Sequence, residues 1–250
     1  MPLLAAIRLV TTLNVLRHGP ATGAAASSAP SVEVATRMVI DGDAAHHVSD
    51  PDALLGLSDE GSSPLDEAMP AALAHTVEDW ILALPRPGRL GPLRGPLSFT
   101  RAALDAGAAV IPRTGGAGWI PTRVGPAIQW LLVPAERPFP PVSSAETEHA
   151  LADAMRAATG DLDRLGMVSG RRPAGDGAAL PAAYPSRQRN AAARALRLVE
   201  ACEAGLADES GLLHVHAAEL RAQALRALLN AALDSLEASC AWPPADADVA

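Results

Sequence analysis

Residues 186–207, SRQRNAAARALRLVEACEAGLA, and residues 217–240, AAELRAQALRALLNAALDSLEASC, read as two helices that need each other. The first carries Arg187, Arg189, Arg194 and Arg197 early, then Glu200 and Glu203 late. The second carries Arg221 and Arg226 early, then Asp234 and Glu237 late. Both distributions oppose the helix macrodipole, which favours acids at the N-terminus and bases at the C-terminus. Folded antiparallel, each basic end meets the acidic end of the other helix. The connection from Asp208 to His216 is short and holds Gly211, as an αα-hairpin requires. A turn centred near Gly211–Leu212 predicts facing residue numbers that sum to about 423. That register pairs Arg189 with Asp234, Arg187 with Glu237 and Glu203 with Arg221. The seams Leu196-Val199-Leu206 and Leu225-Leu229-Ala232-Leu236 supply the apolar contact.

Composition sets the frame around this pair. The chain has 250 residues, 49% of them hydrophobic but only 3% aromatic. Its core must therefore be built from Ala, Leu and Val, and alanine favours helices. All 20 basic residues are arginine, which together with the alanine content reads as a bias towards high-GC codons. The 28 acids leave a net charge of −8, a poor basis for binding nucleic acid through its phosphates. Cys202 and Cys240 do not make a disulfide framework and are expected as buried free thiols in a reducing, cytoplasmic compartment. No apolar run is long enough to span a membrane. The weak basic region ahead of residues 3–16 argues against a secretory leader.

Along the chain, residues 6–17 fit either a helix or a strand. Residues 20–31 read as an Ala/Gly/Ser-rich loop. In 32–40, VEVATRMVI, Val32, Val34, Met38 and Ile40 alternate with Glu33 and Arg37, which predicts a half-buried strand. Residues 44–63 show no periodicity. Ser63-Pro64 opens a helix with Ser63 as cap, and its stripe is Leu73, Val77, Trp80, Ile81 and Leu84. Pro70 should kink that helix or mark its true start. After the Pro/Gly-rich residues 85–97, a short helix over 98–106 ends at Gly107. AVIP, GWIP and AIQWLLVP then predict a small antiparallel sheet in which Ile128, Trp130 and Leu132 share a face, with Thr114–Gly118 as a hairpin loop. Residues 134–143 form a proline-rich linker. Ser144 caps the next helix, whose seam is Leu151, Met155, Ala158, Leu162 and Leu165, and Gly166 ends it. The chain is thus expected to be α+β: a small mixed α/β part over 1–140, a mostly helical domain over 141–242 ending in the antiparallel hairpin, and a disordered acidic tail over 243–250.

Chemistry is harder to find. There is no Gly-x-Ser-x-Gly and no Gly-Lys-Ser/Thr. His214 and His216 could face one side of a strand, and His46, His47, Asp41 and Asp43 offer further ligand types. No ligand spacing joins these clusters, so neither a metal nor a cofactor is expected. His216 also suits a helix cap, three residues before Glu219.

Two resemblances bear on function. The stretch from Arg89 to Val110, and RALRLVEACEAGLADESG followed by AAELRAQALRALLNAAL, resemble an uncharacterised family of high-GC actinobacterial proteins with a similar Arg-rich helical pair. That likeness implies the helical C-terminal half and no mechanism. Arg17-His18-Gly19 after an apolar run resembles the start of the histidine phosphatase (phosphoglycerate mutase-like) superfamily. Leu57–Gly61, Ser98–Ala102 and Leu212–His216 fall in that family's order. This resemblance implies a phosphohistidine at His18, with Arg17 and Arg101 holding the phosphate and His216 as second histidine. The chain departs from it at Pro20 and at Ala217-Ala218 after His216. The leading expectation is a cytoplasmic, non-enzymatic interaction or regulatory protein that binds another protein or itself. The alternative is a divergent phosphomonoesterase using Arg17, His18, Arg101 and His216.

Overall fold

The computed structural model describes residues 2–19, 30–57, 61–165, 180–208 and 215–243. The chain divides into two compact units. The first comprises Met1–Pro141, Leu180–Ser186 and Cys240–Ala250; the second comprises Val142–Ala179 and Arg187–Ser239. The protein is α+β, with a mixed sheet in the first unit and helices in the second.

The first unit begins with α1, Pro2–His18. Residues 6–17, open between helix and strand in the sequence, are helical because the helix is apolar all round and sits in the core. Every residue from Ala5 to Val15 except Arg8 is buried. Helix α2, Val32–Ile40, replaces the strand expected there. Its buried residues are Ala35, Thr36 and Val39, at helical spacing, and Ser31 caps it by accepting a hydrogen bond from the Val34 amide. Val34 and Met38, expected on a buried strand face, are exposed. The alternation misled because Val34 and Met38, four residues apart, share a helix face as readily as a strand face.

Residues 44–63, read as featureless, contribute β1, His46–Ser49, and the two-residue β2, Ser63–Pro64. Between them the buried carboxylate of Asp50 accepts the amides of Leu54, Leu55 and Leu57. Helix α3, Leu65–His75, begins one residue later than expected, with Pro64 as its cap, no side-chain bond there, and Pro70 inside it. It also stops early. Trp80–Ala83 form β3, buried at every position, so the expected stripe from Leu73 to Leu84 joins a helix to a strand. A fully buried strand shows no alternation, and the short run WILA is read equally well as helix.

Helix α4, Leu97–Ala106, closes at Gly107 in the left-handed conformation, as the sequence implies. Strands β4 (Ala109–Pro112), β5 (Gly116–Val124) and β6 (Ala127–Ala135) are antiparallel neighbours. The sheet is larger than expected: six strands in the order β2-β1-β6-β5-β4-β3, with β1 parallel to β6.

One sheet face carries Trp80, Val110, Trp119, Trp130, Leu132 and Ile128, all fully buried. Helix α1 packs on β3, β4 and β5, and on α2 and α3. The three tryptophans meet edge to face, Trp80 to Trp119 at 6.3 Å and Trp119 to Trp130 at 6.1 Å between ring centres. The opposite face, with Ala83, Ala109, Ile111 and Ile120, receives Phe99 and Ala103 of α4.

The second unit holds α5 (Ser144–Arg164), α6 (Ser186–Ala207) and α7 (Val215–Cys240). Ser143, not Ser144, caps α5 in a reciprocal capping box with Glu146. Those hydrogen bonds hold the Glu146 carboxyl below its usual range. Leu151 and Ala158 are buried, but Met155 of the expected seam is exposed. The expected stop at Gly166 lies outside the described residues; the helix closes on Leu165.

Helices α6 and α7 pack antiparallel, but in another register. Gly205 lies against Leu225, and the Arg221 guanidinium donates to the Asp208 carbonyl at 2.8 Å. Facing numbers therefore sum to about 430 rather than 423. Two of the arginines expected in ion pairs, Arg187 and Arg221, have other partners. Arg187 binds Glu148 of α5 with Nη2 2.9 Å from Oε2, which holds the Glu148 carboxyl low. Glu203 has its carboxyl pushed up by burial and by Glu200. The apolar seam sets the register: Ala192, Ala195, Leu196, Val199 and Cys202 on α6, and Ala224, Leu225, Leu228, Ala232 and Leu236 on α7. Leu228 occupies the buried position expected of Leu229, which is half-buried. The start of α7 thus overhangs the end of α6, and Val215 and Leu220 are exposed.

Neither Cys202 nor Cys240 is in a disulfide, and both are buried. Burial pushes the Cys202 thiol up to about 11, and the thiolate is the reactive form. Neither thiol should react with an alkylating reagent in the native protein, and both should react after denaturation. Mass spectrometry after native and denatured labelling checks this; a Cys202–Cys240 bridge under native conditions would contradict it.

Candidate functional site

The C-terminal end of α1 gathers a cluster of polar side chains in the first unit. Its last two turns present Asn14, Arg17 and His18. Asn14 is wholly buried and completes the free edge of β3. Its Oδ1 accepts the Trp80 amide at 2.8 Å, and its Nδ2 donates to the Trp80 carbonyl at 3.1 Å. The same Nδ2 reaches the Tyr184 hydroxyl at 3.3 Å, and that hydroxyl donates to the Cys240 carbonyl at 3.2 Å. Burial holds the Tyr184 phenol well above its usual value, so it stays a donor.

His18 lies one turn further on. Its Nε2 is 2.5 Å from Asp79 Oδ1, and Arg113 Nη2 is 3.3 Å from the second oxygen of Asp79. The His18 ring stacks on Trp242 with centres 4.8 Å apart, and Trp242 meets Tyr184 edge-on at 5.1 Å. A histidine oriented by an aspartate is the pairing that general-base catalysis uses. Here the nitrogen facing Asp79 is occupied, and no nucleophile is paired with the ring among the described residues. Arg17 points elsewhere: its guanidinium donates to the carbonyls of Leu73 and Thr76 at the end of α3. It therefore closes a helix C-terminus, where cations are favoured.

The phosphatase resemblance places Arg-His-Gly after a strand. In this fold Arg17 and His18 end a helix. Arg101 is exposed on α4, and His216 is exposed in the first turn of α7, in the second unit. Ser58, Asp59 and Glu60 of one matching fragment, and Leu212, Leu213 and His214 of another, lie outside the described residues. Among the described residues, Arg17 meets the carbonyls of Leu73 and Thr76, and His18 meets Asp79 and Trp242.

A second polar cluster sits at the other end of the sheet. His46 is buried on β1, between Asp43 and Trp130. No group of three or more metal-ligating side chains is assembled among the described residues. No helix of the described residues is long and apolar enough to cross a membrane.

Sequence reading missed Asn14, Asp79, Arg113, Tyr184 and Trp242. One signal was present: Thr11, Thr12 and Asn14 interrupt an apolar run, and a polar group in a buried helix needs a partner. The partner, a backbone edge 66 residues away, carries no side-chain signature.

Two family models match, one described as the N-terminal domain of Rv1486c-like proteins over residues 21–149, the other as their C-terminal domain over residues 145–236. The chain belongs to the Rv1486c-like family. No curated protein and no solved structure matches it. Within the Rv1486c-like chain, Arg17 and His18 precede the matched region, whereas Arg101 and His216 fall inside it. The two Rv1486c-like models meet at residues 145–149, in the first turns of α5.

Proposed function

We propose that this Rv1486c-like protein is a cytoplasmic, non-enzymatic interaction or regulatory protein whose partner is another protein or a second copy of the chain. One observation carries the reading. Five of the seven aromatic side chains are buried, but Phe139 is 51% exposed. It is held in place rather than free: its amide donates to the Pro92 carbonyl at 2.9 Å, and Arg94 lies over its ring at 4.7 Å. Leu90 and Leu97, the latter 76% exposed, lie in the same Pro/Gly-rich residues 85–97 as Pro92 and Arg94. Pre-positioned aromatic and arginine side chains are the residues that most often anchor protein interfaces. The buried thiols support a reducing compartment. The commitment of Arg17 to backbone carbonyls takes support from the phosphatase alternative.

The experiment is a pull-down from the native host with tagged full-length protein, alongside Phe139→Ala and Arg94→Ala. A specific partner, or self-association by sedimentation, should be lost in Phe139→Ala while folding is kept. An interface anchor of this kind is expected to contribute about 2 kcal/mol or more, roughly thirtyfold in affinity. Hydrolysis of a generic phosphomonoester by purified protein, abolished by His18→Ala, would overturn the proposal.

A further inference from the structure

His46 is the one buried histidine among the described residues, and its two ring nitrogens face groups of opposite demand. Trp130 Nε1 can only donate, and it lies 3.3 Å from His46 Nδ1. Nδ1 must therefore be the acceptor, which leaves the ring proton on Nε2. Nε2 lies 3.2 Å from Asp43 Oδ2 and donates to it, while Asp43 Oδ1 is 3.4 Å from Arg123 Nη1. The neutral ring is thus satisfied on both sides. A second proton would have to enter at Nδ1, against an indole N–H, inside a side chain with no exposed surface.

The ring sits where such a conflict has structural consequences. Its strand β1 has four residues and one main partner, the parallel β6, beside Trp130 itself. Outside β1 lies only the two-residue β2. The turn before β1 is tied to the start of β6 by Ala44 to Pro126 at 2.9 Å and Ile128 to Ala45 at 3.0 Å. We infer that His46 is a proton-operated latch: neutral, it locks the β2–β1 edge onto β6; protonated, it releases that edge.

The surrounding charges oppose one another. Burial disfavours the imidazolium most, and Arg8 of α1 and neighbouring His47 add to that. Asp43 favours it through its hydrogen bond and its charge. Arg123 of β5 partly neutralises Asp43. The balance holds His46 below its usual value. For a group lowered by folding, the stabilisation is complete above the unfolded value, about 6.5, and is lost as pH falls through the folded value. The latch is therefore closed at neutral pH and opens with acid.

Amide hydrogen exchange and the His46 ring proton, followed by NMR on the full chain between about pH 7.5 and 5, test this. Corrected for the intrinsic rate, protection of residues 46–49 should fall on the order of tenfold for each unit by which His46 is depressed. Protection at Val110, in the β4–β5 pair, should not change. Trp130→Phe removes the opposing N–H; the His46 midpoint should rise and the acid-dependent loss at 46–49 should shrink. Asp43→Asn, which keeps the indole, should move the midpoint down, and it serves if Trp130→Phe does not fold. Unchanged protection of residues 46–49 at low pH in the parent protein would overturn the latch. So would a His46 midpoint that stays in place in Trp130→Phe or rises in Asp43→Asn.

Discussion

Asn14→Ala should destabilise the protein by about 3–5 kcal/mol, because it strips the partners from two buried backbone groups at once. The Trp80 amide and carbonyl are both bonded to the Asn14 side chain, at 2.8 and 3.1 Å. Each orphaned group costs about 1–3 kcal/mol when water cannot replace the partner, and the lost bond to Tyr184 adds to that. Asn14→Asp should be no milder. It keeps the acceptor for the Trp80 amide but sets an oxygen against the Trp80 carbonyl and buries a charge. Tyr184→Phe removes only the outer member of the network and should cost about 1 kcal/mol. Urea unfolding with a common slope distinguishes these outcomes. A loss below about 1 kcal/mol in Asn14→Ala would show that β3 does not depend on this side chain.

Gly118→Ala should cost about 1–3 kcal/mol by overpacking. Gly118 has an ordinary backbone conformation, so the demand is for space. A Cβ there would collide with Cε2 of Phe99 and lie 2.9 Å from Cβ of Ala135, both buried. Phe99 enters from α4 onto the sheet face where Gly118 stands. Phe99→Leu should therefore partly rescue Gly118→Ala, although alone it is destabilising. Strict additivity in that double-mutant cycle would refute the contact as the reason for glycine.

These two residues mark the boundary of what sequence reading reached. Gly118 was expected in a hairpin loop with its glycine neighbours. Gly115 does belong to a turn, with a positive φ of 82°. Gly118 is a strand residue, and nothing local distinguishes it; its reason is a ring from α4, nineteen residues earlier. Asn14 is a polar break in an apolar run, but its role depends on an edge brought to it from residue 80. Trp80 itself was read as part of a helical stripe, because a strand buried on both faces carries no period to recognise.

At the candidate site the contrast is sharper. Arg17-His18-Gly19 was noticed as a short run and carried only the alternative reading, phosphate chemistry. The fold assigns Arg17 to carbonyls at the end of α3 and sets His18 between Asp79 and Trp242. Those partners lie 56 to 224 residues away, so their juxtaposition has no sequence period. His46 was weighed only as a metal ligand. The indole that fixes its tautomer comes from β6, through a parallel pairing that no hairpin pattern announces.

The sequence by itself determined the elements whose signals are local. These are the α6–α7 hairpin, the αL stop at Gly107 and the antiparallel β4–β5–β6 strands. Each rests on spacing, capping or turn chemistry within a few residues. The tertiary structure decided the register of the hairpin, where packing of Leu225, Leu228 and Leu236 outweighs exposed charge pairs, worth only about 0.2–1 kcal/mol each. It also decided that α1 is a buried central helix and that β1 joins the sheet in parallel. Long-range burial sets those choices, since an apolar run can bury itself as either helix or strand until its neighbours are in place.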